Sequence, residues 1–408
     1  MAESKPIHFE RCIQAEQAFS KIGMNFLSWM HPVVKSEMKS PMNSSEYRRH
    51  MYDAHIMKTT DPTISITKYR QFVENGMADV ELLGSHLWAE YHTYAFNREG
   101  RQVFSVDKNL AQMLMDTDVD VDADSLRMPY SSFYIEVPRG ILEIHNKESG
   151  THSVDGIYVV EEPFNWDECR EIARTATGLT QSKLILDKGL SPTRSIQLLV
   201  IGEDKGKPVP AQERQKMGKY ALVADFNWDD AMFFFTVNVG TGKVKQYLDL
   251  SVESAYKLYS DNDPHQNLLC VEEIFRFVMN TILYINSKDV DRLDMLPKEY
   301  LAEIEKMKRL GGGKTKKGQR CLERAKKHTS LHKVVLGSRI DVEEPLEEGR
   351  SWRINSRFRV RGFWRTYESE RYKEGVRGTT VWIAPFWKGP EMADLVKRQY
   401  SVKAIDTK

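Results

Sequence analysis

The sequence has few cysteines and no long apolar run. Its four cysteines are scattered over 408 residues without a CxxC pair, which excludes a dense disulfide framework and predicts reduced thiols. No stretch approaches the roughly 18 uninterrupted apolar residues of a transmembrane helix. The opening segment MAESKPIHFERC lacks the apolar core of a secretory signal. Together these absences predict an intracellular, cytoplasmic protein without contact to a membrane.

A net charge is almost absent too, at +1, but this balance hides a division of the chain. Residues 306–408 carry 26 Lys+Arg against 12 Asp+Glu, a surplus of +14, and residues 1–305 therefore carry −13. An acidic body with a strongly basic end indicates contact with nucleic acid or with a membrane surface. The second possibility is less favoured here, because the chain has no other membrane signal.

Hydrophobic periodicity predicts an α+β fold. Helical spacing of apolar residues occurs at 10–30, 78–96 and in KNLAQMLM, and period-two segments such as SSFYIEVP, RSIQLLVIGED and MFFFTVNVG follow. Helical spacing returns in VEEIFRFVMNTILYI and PKEYLAEIEKMKRL. We therefore predict a helical N-terminal part, a largely antiparallel central sheet, closing helices and a small basic β-hairpin module at the C-terminus.

The glycines at 311–313 mark the predicted domain boundary. Residues 1–310 form the acidic body, in which we expect a peptide-binding surface. Residues 311–350 are predicted to be a flexible linker, first basic and then acidic, and residues 351–408 a small Arg/Trp-rich β module.

No motif in the sequence points to an enzyme. Gly313-Lys314-Thr315 is not a phosphate-binding loop, because position 308 is lysine instead of glycine and a helix precedes it. The acidic run DTDVDVDADS lacks the glycine and glutamate of a calcium-binding loop. The carboxylates Asp225, Asp229 and Asp230 favour a turn over a metal-dependent nuclease site. We predict no catalytic residue, no metal and no cofactor.

The basic end carries the strongest functional signal. Residues 306–339 hold 12 Lys+Arg and one acid, a density suited to many phosphate contacts. Four of the eight tryptophans lie in the last 57 residues, and rings among cations are typical of single-stranded RNA binding. A solvated or disordered tail is the alternative. The candidate RNA-binding residues are Lys314, Lys316, Lys317, Arg320, Arg324, Arg357, Arg359, Arg361, Arg365, Trp364 and Trp382.

The segment RFRVRGFWRTY, residues 357–367, is predicted to be a strand with two different faces. Period two places its arginines on one face, and Phe358, Val360, Gly362 and Trp364 on the other. Residues 379–387, TTVWIAPFW, are the predicted second strand of a hairpin. The tryptophans would then form the core of a small β module, which is compatible with an arginine face that binds RNA.

Several segments resemble a known family. Residues 360–365, VRGFWR, followed by VWIAP and KGPE, resemble a C-terminal signature of phage and plasmid proteins that usually begins VRGHWR. Upstream, LLGSHLWAEYHTYAF, LRMPYSSFYIEVP and GIYVVEE resemble a type V-A anti-CRISPR family from mobile elements. The resemblance covers roughly residues 80–165 and 355–391, and Phe363 departs from the usual histidine.

The resemblance implies a non-enzymatic regulator in a bacterial host cell. Such a protein would recognise the N-terminal peptide of a nascent type V-A effector, or of another protein, and lower expression of its target through RNA or the ribosome. Candidate peptide-binding residues are Trp88, Tyr91, Phe133 and Tyr134, although core positions are favoured for each. A general phage or plasmid RNA-binding protein without a peptide target is the alternative function.

Overall fold

The computed structural model describes most of the chain with gaps. The described residues are 7–21, 84–146, 149–176, 180–206, 210–216, 231–258, 265–287, 290–295, 298–311, 315–328, 332–338, 358–360, 362–367 and 377–388. Their helices are α1 (His8–Lys21), α2 (Gly84–Arg98), α3 (Lys108–Met115), α4 (Trp166–Thr175), α5 (Gln181–Asp187), α6 (Ala211–Lys216), α7 (Val244–Leu258), α8 (His265–Ile285), α9 (Lys298–Arg309) and α10 (Lys316–His328).

The described strands form one large sheet and a ribbon of two short antiparallel ladders. Those of the sheet are β1 (Gln102–Val106), β2 (Ser132–Glu136), β3 (Glu143–Asn146), β4 (Gly150–Pro163), β5 (Pro192–Gly202), β6 (Met232–Gly240), β7 (Arg292–Met295) and β8 (His332–Leu336). Those of the ribbon, which we call the C-terminal ribbon, are β9 (Phe358–Val360), β10 (Phe363–Thr366), β11 (Thr380–Ile383) and β12 (Phe386–Lys388).

The predicted α+β fold with a largely antiparallel sheet is confirmed. The strand order is β6-β5-β4-β2-β1-β8-β7, and β3 pairs with β4 outside this path. Only β2 with β1 and β1 with β8 pair in parallel, and every other described pair in the sheet is antiparallel. Helices precede the antiparallel strands and follow them, as the change of hydrophobic period predicts.

Both faces of the sheet are covered, and this explains the continuous apolar runs of its central strands. On β4, Ile157 and Val159 join the larger core cluster, whereas Tyr158 between them joins a second cluster on the opposite face. Phe9 of α1 and Phe96 of α2 complete the second cluster. Residues of α3, α7 and α8 complete the larger one.

Local signals end the helices where the sequence indicates. Asn165 caps α4, since its side-chain oxygen accepts hydrogen bonds from the backbone N–H groups of Asp167 and Glu168. Beyond α9, Gly311 adopts φ +86°, a left-handed conformation that glycine allows at little cost. Thr315 follows and accepts a hydrogen bond from the Gly318 N–H, so this segment joins two helices. The strand-to-helix context of a phosphate-binding loop is therefore missing, as predicted.

The predicted linker at 311–350 requires a correction. It contains α10 and also β8, which pairs with both β1 and β7 inside the large sheet. Val334 and Leu336 of β8 are buried in the larger core cluster. Trp364 from the predicted C-terminal module lies in the same cluster. The composition change at the triple glycine therefore marks a helix end and a change of surface charge, while the core continues across it.

Candidate nucleic-acid interface

The C-terminal ribbon is a single antiparallel hairpin with one register. Phe363 pairs with Ile383 in one ladder, and Val360 pairs with Phe386 in the other. The two pairs are offset by three positions on each strand, so the two ladders share one register. The predicted pairing of 357–367 with 379–387 is confirmed.

The two predicted faces of this strand are also confirmed for residues 362–365. Gly362 and Trp364 are buried, whereas Phe363 and Arg365 are exposed. Trp364 is only 8% exposed, and Phe363 is 37% exposed. A ring buried on both sides has no face for a base, so Trp364 is removed from the RNA-binding candidates. Trp382 is half-buried beside Trp364 and belongs to the same internal contact.

A buried asparagine anchors the ribbon to the body. Asn280 of α8 is fully buried, and its Oδ1 accepts a hydrogen bond of 2.8 Å from the indole Nε1–H of Trp364. Its Nδ2 donates to the carbonyl oxygens of Leu114 at 2.9 Å and Thr117 at 2.8 Å, both at the end of α3. One amide therefore joins three segments that are far apart in the sequence. We call this contact, together with Trp382, the tryptophan anchor.

Thr117 and Gly362 complete the tryptophan anchor. The hydroxyl of Thr117 accepts a hydrogen bond of 3.2 Å from Trp382 Nε1–H, and the backbone N–H of Asp118 donates to the Gly362 carbonyl at 3.1 Å. A Cβ atom on Gly362 would lie 2.3 Å from the Thr117 hydroxyl oxygen. Glycine is therefore required by the close approach of the two chains. Gly362 and Trp364 of the VRGFWR segment therefore hold the ribbon against the body.

Four of the candidate RNA-binding cations lie on the exposed side of α10. Lys316, Lys317, Arg320 and Arg324 are all exposed, while Gly318 and Cys321 on the other side are buried. Arg324 is partly neutralised, because its Nε lies 3.3 Å from the Glu303 carboxylate of α9. Lys316, Lys317 and Arg320 are therefore the stronger phosphate candidates of this helix. Lys314, Arg357 and Arg361 lie outside the described residues, and of Arg359 only the backbone is described.

The four aromatic candidates for peptide binding differ in burial. Tyr91, Phe133 and Tyr134 are fully buried, so the core interpretation is correct for these three. Trp88 is half-buried and stacks on Phe234 of β6, with ring centroids 4.0 Å apart and an interplanar angle of 13°. It is the one member of the predicted set with accessible ring surface.

A buried polar group lies beneath α2 near this pair. The carboxylate of Glu162, only 3% exposed, accepts hydrogen bonds of 2.9 Å from the Tyr91 hydroxyl and from Gln197 Nε2. The His92 ring is fully buried between aromatic neighbours, and its Nδ1–H donates to the Trp88 carbonyl at 2.7 Å. Burial lowers the pKa of His92 to about 3, despite the opposing effect of that hydrogen bond. A neutral imidazole therefore belongs to the folded protein.

A second buried polar group joins α1 to the sheet. His8 is fully enclosed, and its Nδ1 lies 3.0 Å from the Tyr158 hydroxyl, while its backbone N–H donates to Asp155 at 2.9 Å. Burial, followed by the charge of Arg11, lowers the pKa of His8 to about 3. Burial raises the pKa of Asp155 to about 6, which Arg11 only partly offsets. These groups hold α1 in place and face the interior.

The acidic run at 116–125 is built as an exposed edge. Val119, Val121 and Ala123 are buried, and the aspartates alternating with them are exposed. Asp122 pairs with Lys243 at 3.1 Å. Across the described residues, no group of three or more His, Cys, Asp or Glu side chains is arranged to hold a metal ion. The aspartates 225, 229 and 230 lie outside the described residues, so the turn predicted there stays a prediction.

Comparison with known proteins identifies the class. The model of the AcrVA2-like family, described as the anti-CRISPR type V subtype A2 family, matches residues 104–387, more than two-thirds of the chain. The crystal structure of AcrVA2 matches with 11% sequence identity and a TM-score of 0.38, covering 93% of this chain and 99% of that chain. No curated protein matches the sequence.

The protein is thus of the type V anti-CRISPR class, as the signature residues predict. Within this class, the chain belongs to the AcrVA2-like family. The matched range begins in β1 and ends in β12. It therefore includes the large sheet together with the C-terminal ribbon. In the described part of the chain, no helix is both long and apolar enough to span a membrane.

Proposed function

We propose that this protein lowers production of a type V-A CRISPR effector nuclease in the bacterial cytoplasm by recognising its N-terminal peptide during translation. The acidic body holds the peptide, and the basic C-terminal region contacts RNA or the ribosome. Membership of the AcrVA2-like family is the observation that carries this proposal. The protein acts as a binding regulator and performs no chemistry itself.

The division of charge supports an oriented contact with RNA. The body, with −13 over residues 1–305, is repelled by phosphates, whereas the surplus of +14 over residues 306–408 is attracted. The exposed cations of α10 and Arg365 of the ribbon belong to the attracted part. Electrostatics alone would therefore turn the C-terminal part towards the ribosome and leave the acidic body free for a peptide.

The peptide contact is assigned to the pair formed by Trp88 and Phe234. Both rings are half-buried and stacked, so they offer apolar surface without the cost of opening the core. An apolar side chain of the peptide would bury ring surface at about 25 cal/mol per Å². Behind this pair, the buried Glu162 carboxylate accepts hydrogen bonds from Tyr91 of α2 and Gln197 of β5, so it joins the helix to the sheet.

Ribosome profiling of cells that express the protein tests the proposal. We expect depletion of the effector message, with footprints ending shortly after the codons of its N-terminal peptide. The variant Trp88→Ala should restore the message, while Trp166→Ala, a change at another half-buried tryptophan on α4, should leave the depletion in place. An unchanged effector message in the presence of the wild-type protein would contradict the proposal.

Ribosome co-sedimentation tests the basic region separately. Charge reversal of Arg357, Arg359, Arg361 and Arg365 to glutamate should abolish co-sedimentation. As a control, reversal of Arg170 and Arg174, two exposed arginines on α4, should leave it intact. Equal sedimentation of both variants would remove the ribbon from the interface. The alternative of a general RNA-binding protein predicts depletion that does not depend on the peptide encoded.

A further inference from the structure

The exposed face of the ribbon carries an aromatic ring, Phe363, beside an arginine, Arg365. Positions 357, 359, 361 and 365 are arginine, and position 363, the one remaining member of this alternating series, is phenylalanine. Period two places Phe363 and Arg365 on the same side of the strand, and both are exposed. We call this series the arginine stripe.

Phe363 is exposed, although apolar burial is available next to it. Its ring is 37% exposed, whereas the neighbouring Trp364 lies in the larger core cluster. Arg365, two residues further along the stripe, is exposed, and its guanidinium carbon lies 5.2 Å from the ring centroid of Tyr367. The outer face therefore combines accessible aromatic surface with cations.

The tryptophan anchor holds this face in position from behind. Trp364 and Trp382 point inward and donate hydrogen bonds to Asn280 and Thr117. The backbone of Phe363 is thus held by buried contacts of its two neighbours, Gly362 and Trp364. A ligand that stacks on the ring would not have to order the strand, and this preorganisation favours binding.

The composition of the stripe favours single-stranded RNA as its ligand. Unstacked bases bind aromatic rings and guanidinium planes, while the same arginines bind phosphates. Residues two apart on a strand are about 6.8 Å apart, a distance comparable to one nucleotide step of an extended strand. A duplex offers no accessible base face to Phe363, and the cations repel a basic peptide.

We propose that Phe363 is a base-stacking platform for single-stranded RNA, with Arg365 as its flanking phosphate contact. This assignment rests on the proposed RNA contact of the C-terminal region and names the residues that read the strand. It replaces Trp364 and Trp382, which the fold uses internally. The stripe recognises a base through its ring face, which predicts weak dependence on sequence.

Fluorescence anisotropy with a labelled 12-nucleotide oligouridine and the full-length protein tests this assignment. Phe363→Ala should weaken binding about 5- to 150-fold, the loss typical of one stacked base. Phe363→Trp should bind at least as tightly as the wild type. Phe386→Ala is the matched control, because Phe386 is 42% exposed but pairs with Val360 on the other side of the ribbon. This control should bind like the wild type.

Salt titration separates stacking from charge. Phe363→Ala should keep the slope of log Kd against log salt, whereas Arg365→Gln should reduce it by about 0.7, the value for one phosphate on a single strand. An oligonucleotide lacking its bases should bind wild type and Phe363→Ala equally. Tight wild-type binding that Phe363→Ala leaves unchanged, or a preference for duplex RNA, would overturn the stacking assignment alone. Absence of any wild-type binding would overturn the RNA contact as well.

Discussion

Replacing Asn280 with alanine should lower the free energy of unfolding more than replacing any exposed residue of α8. The side chain is fully buried and makes three hydrogen bonds, to Trp364, Leu114 and Thr117. The Leu114 carbonyl also accepts from the Thr117 N–H, so it keeps a partner. The change leaves the buried Trp364 N–H and the Thr117 carbonyl without their hydrogen bond to Asn280, at a cost of about 1–3 kcal/mol for each group.

We therefore expect Asn280→Ala to lower the free energy of unfolding by about 2–6 kcal/mol. Urea denaturation followed by circular dichroism measures the loss. Asn286→Ala is the matched control, since Asn286 lies on the turn just beyond α8 but is exposed, and it should cost about 1 kcal/mol or less. A loss for Asn280→Ala no larger than that of the control would refute the tryptophan anchor.

A double-mutant cycle sharpens this test. Trp364→Phe removes the indole N–H, which leaves Asn280 Oδ1 without that donor. Because the two single variants break the same hydrogen bond, the double variant should cost less than the sum of the single losses, by about 0.5–3 kcal/mol. Additive losses would show that Trp364 and Asn280 stabilise the fold independently.

Three other substitutions test separate parts of the structure. The pKa of His92 is lowered to about 3, so the folded state binds its proton weakly and the free energy of unfolding falls as the pH drops from 6.5 towards 3. In urea titrations, His92→Phe should make this fall shallower by about 1.4 kcal/mol per pH unit. An unchanged slope would contradict the neutral buried ring. Gly362→Ala should destabilise by about 1–3 kcal/mol, because its Cβ would meet the Thr117 oxygen at 2.3 Å; a neutral effect on thermal melting would disprove the close approach. Gly156→Ala should cost a similar amount or more, since its Cβ would lie 2.1 Å from the fully buried Tyr134 hydroxyl, and a normal melting temperature would show that this contact is not required.

Periodicity predicted the central fold well, because its strands and helices bury apolar residues at regular spacing. In the predicted stripe on α8, Ile274, Phe277, Val278 and Ile282 are fully buried, and Ile285 is partly buried. The alternation in 362–365 also predicted which side chains of the ribbon point outward. In both cases the burial pattern follows from local geometry, which a single sequence contains.

Long-range pairing was not accessible in the same way. The segment HKVVL follows a basic helix and precedes an acidic patch, so charge alone suggested a linker, yet β8 pairs in parallel with β1. A parallel partner more than 200 residues distant leaves no local signal. The local hint is the run of three consecutive apolar residues, Val334, Val335 and Leu336, because continuous apolar residues are typical of a buried parallel strand.

The candidate RNA site shows a related difference. Tryptophan among arginines suggests base stacking, but alternate residues of a strand face the core and the solvent. Trp364 lies on the same face of the strand as Gly362, which closely approaches the body, and so it is buried. The exposed ring is Phe363, the position where the signature usually has histidine. The alternation of faces, taken together with the glycine, indicates that Phe363 is the exposed ring.

The central claim, recognition of a nascent peptide, is tested most directly by two reporters carrying the first codons of the effector. One reporter is recoded synonymously, so that its RNA changes and its peptide does not. The other is shifted in frame, so that its peptide changes and its RNA is nearly unchanged. We predict that the protein lowers the message of the recoded reporter and spares the frame-shifted one. Loss that follows the RNA sequence, or equal loss of both messages, would contradict the proposed function.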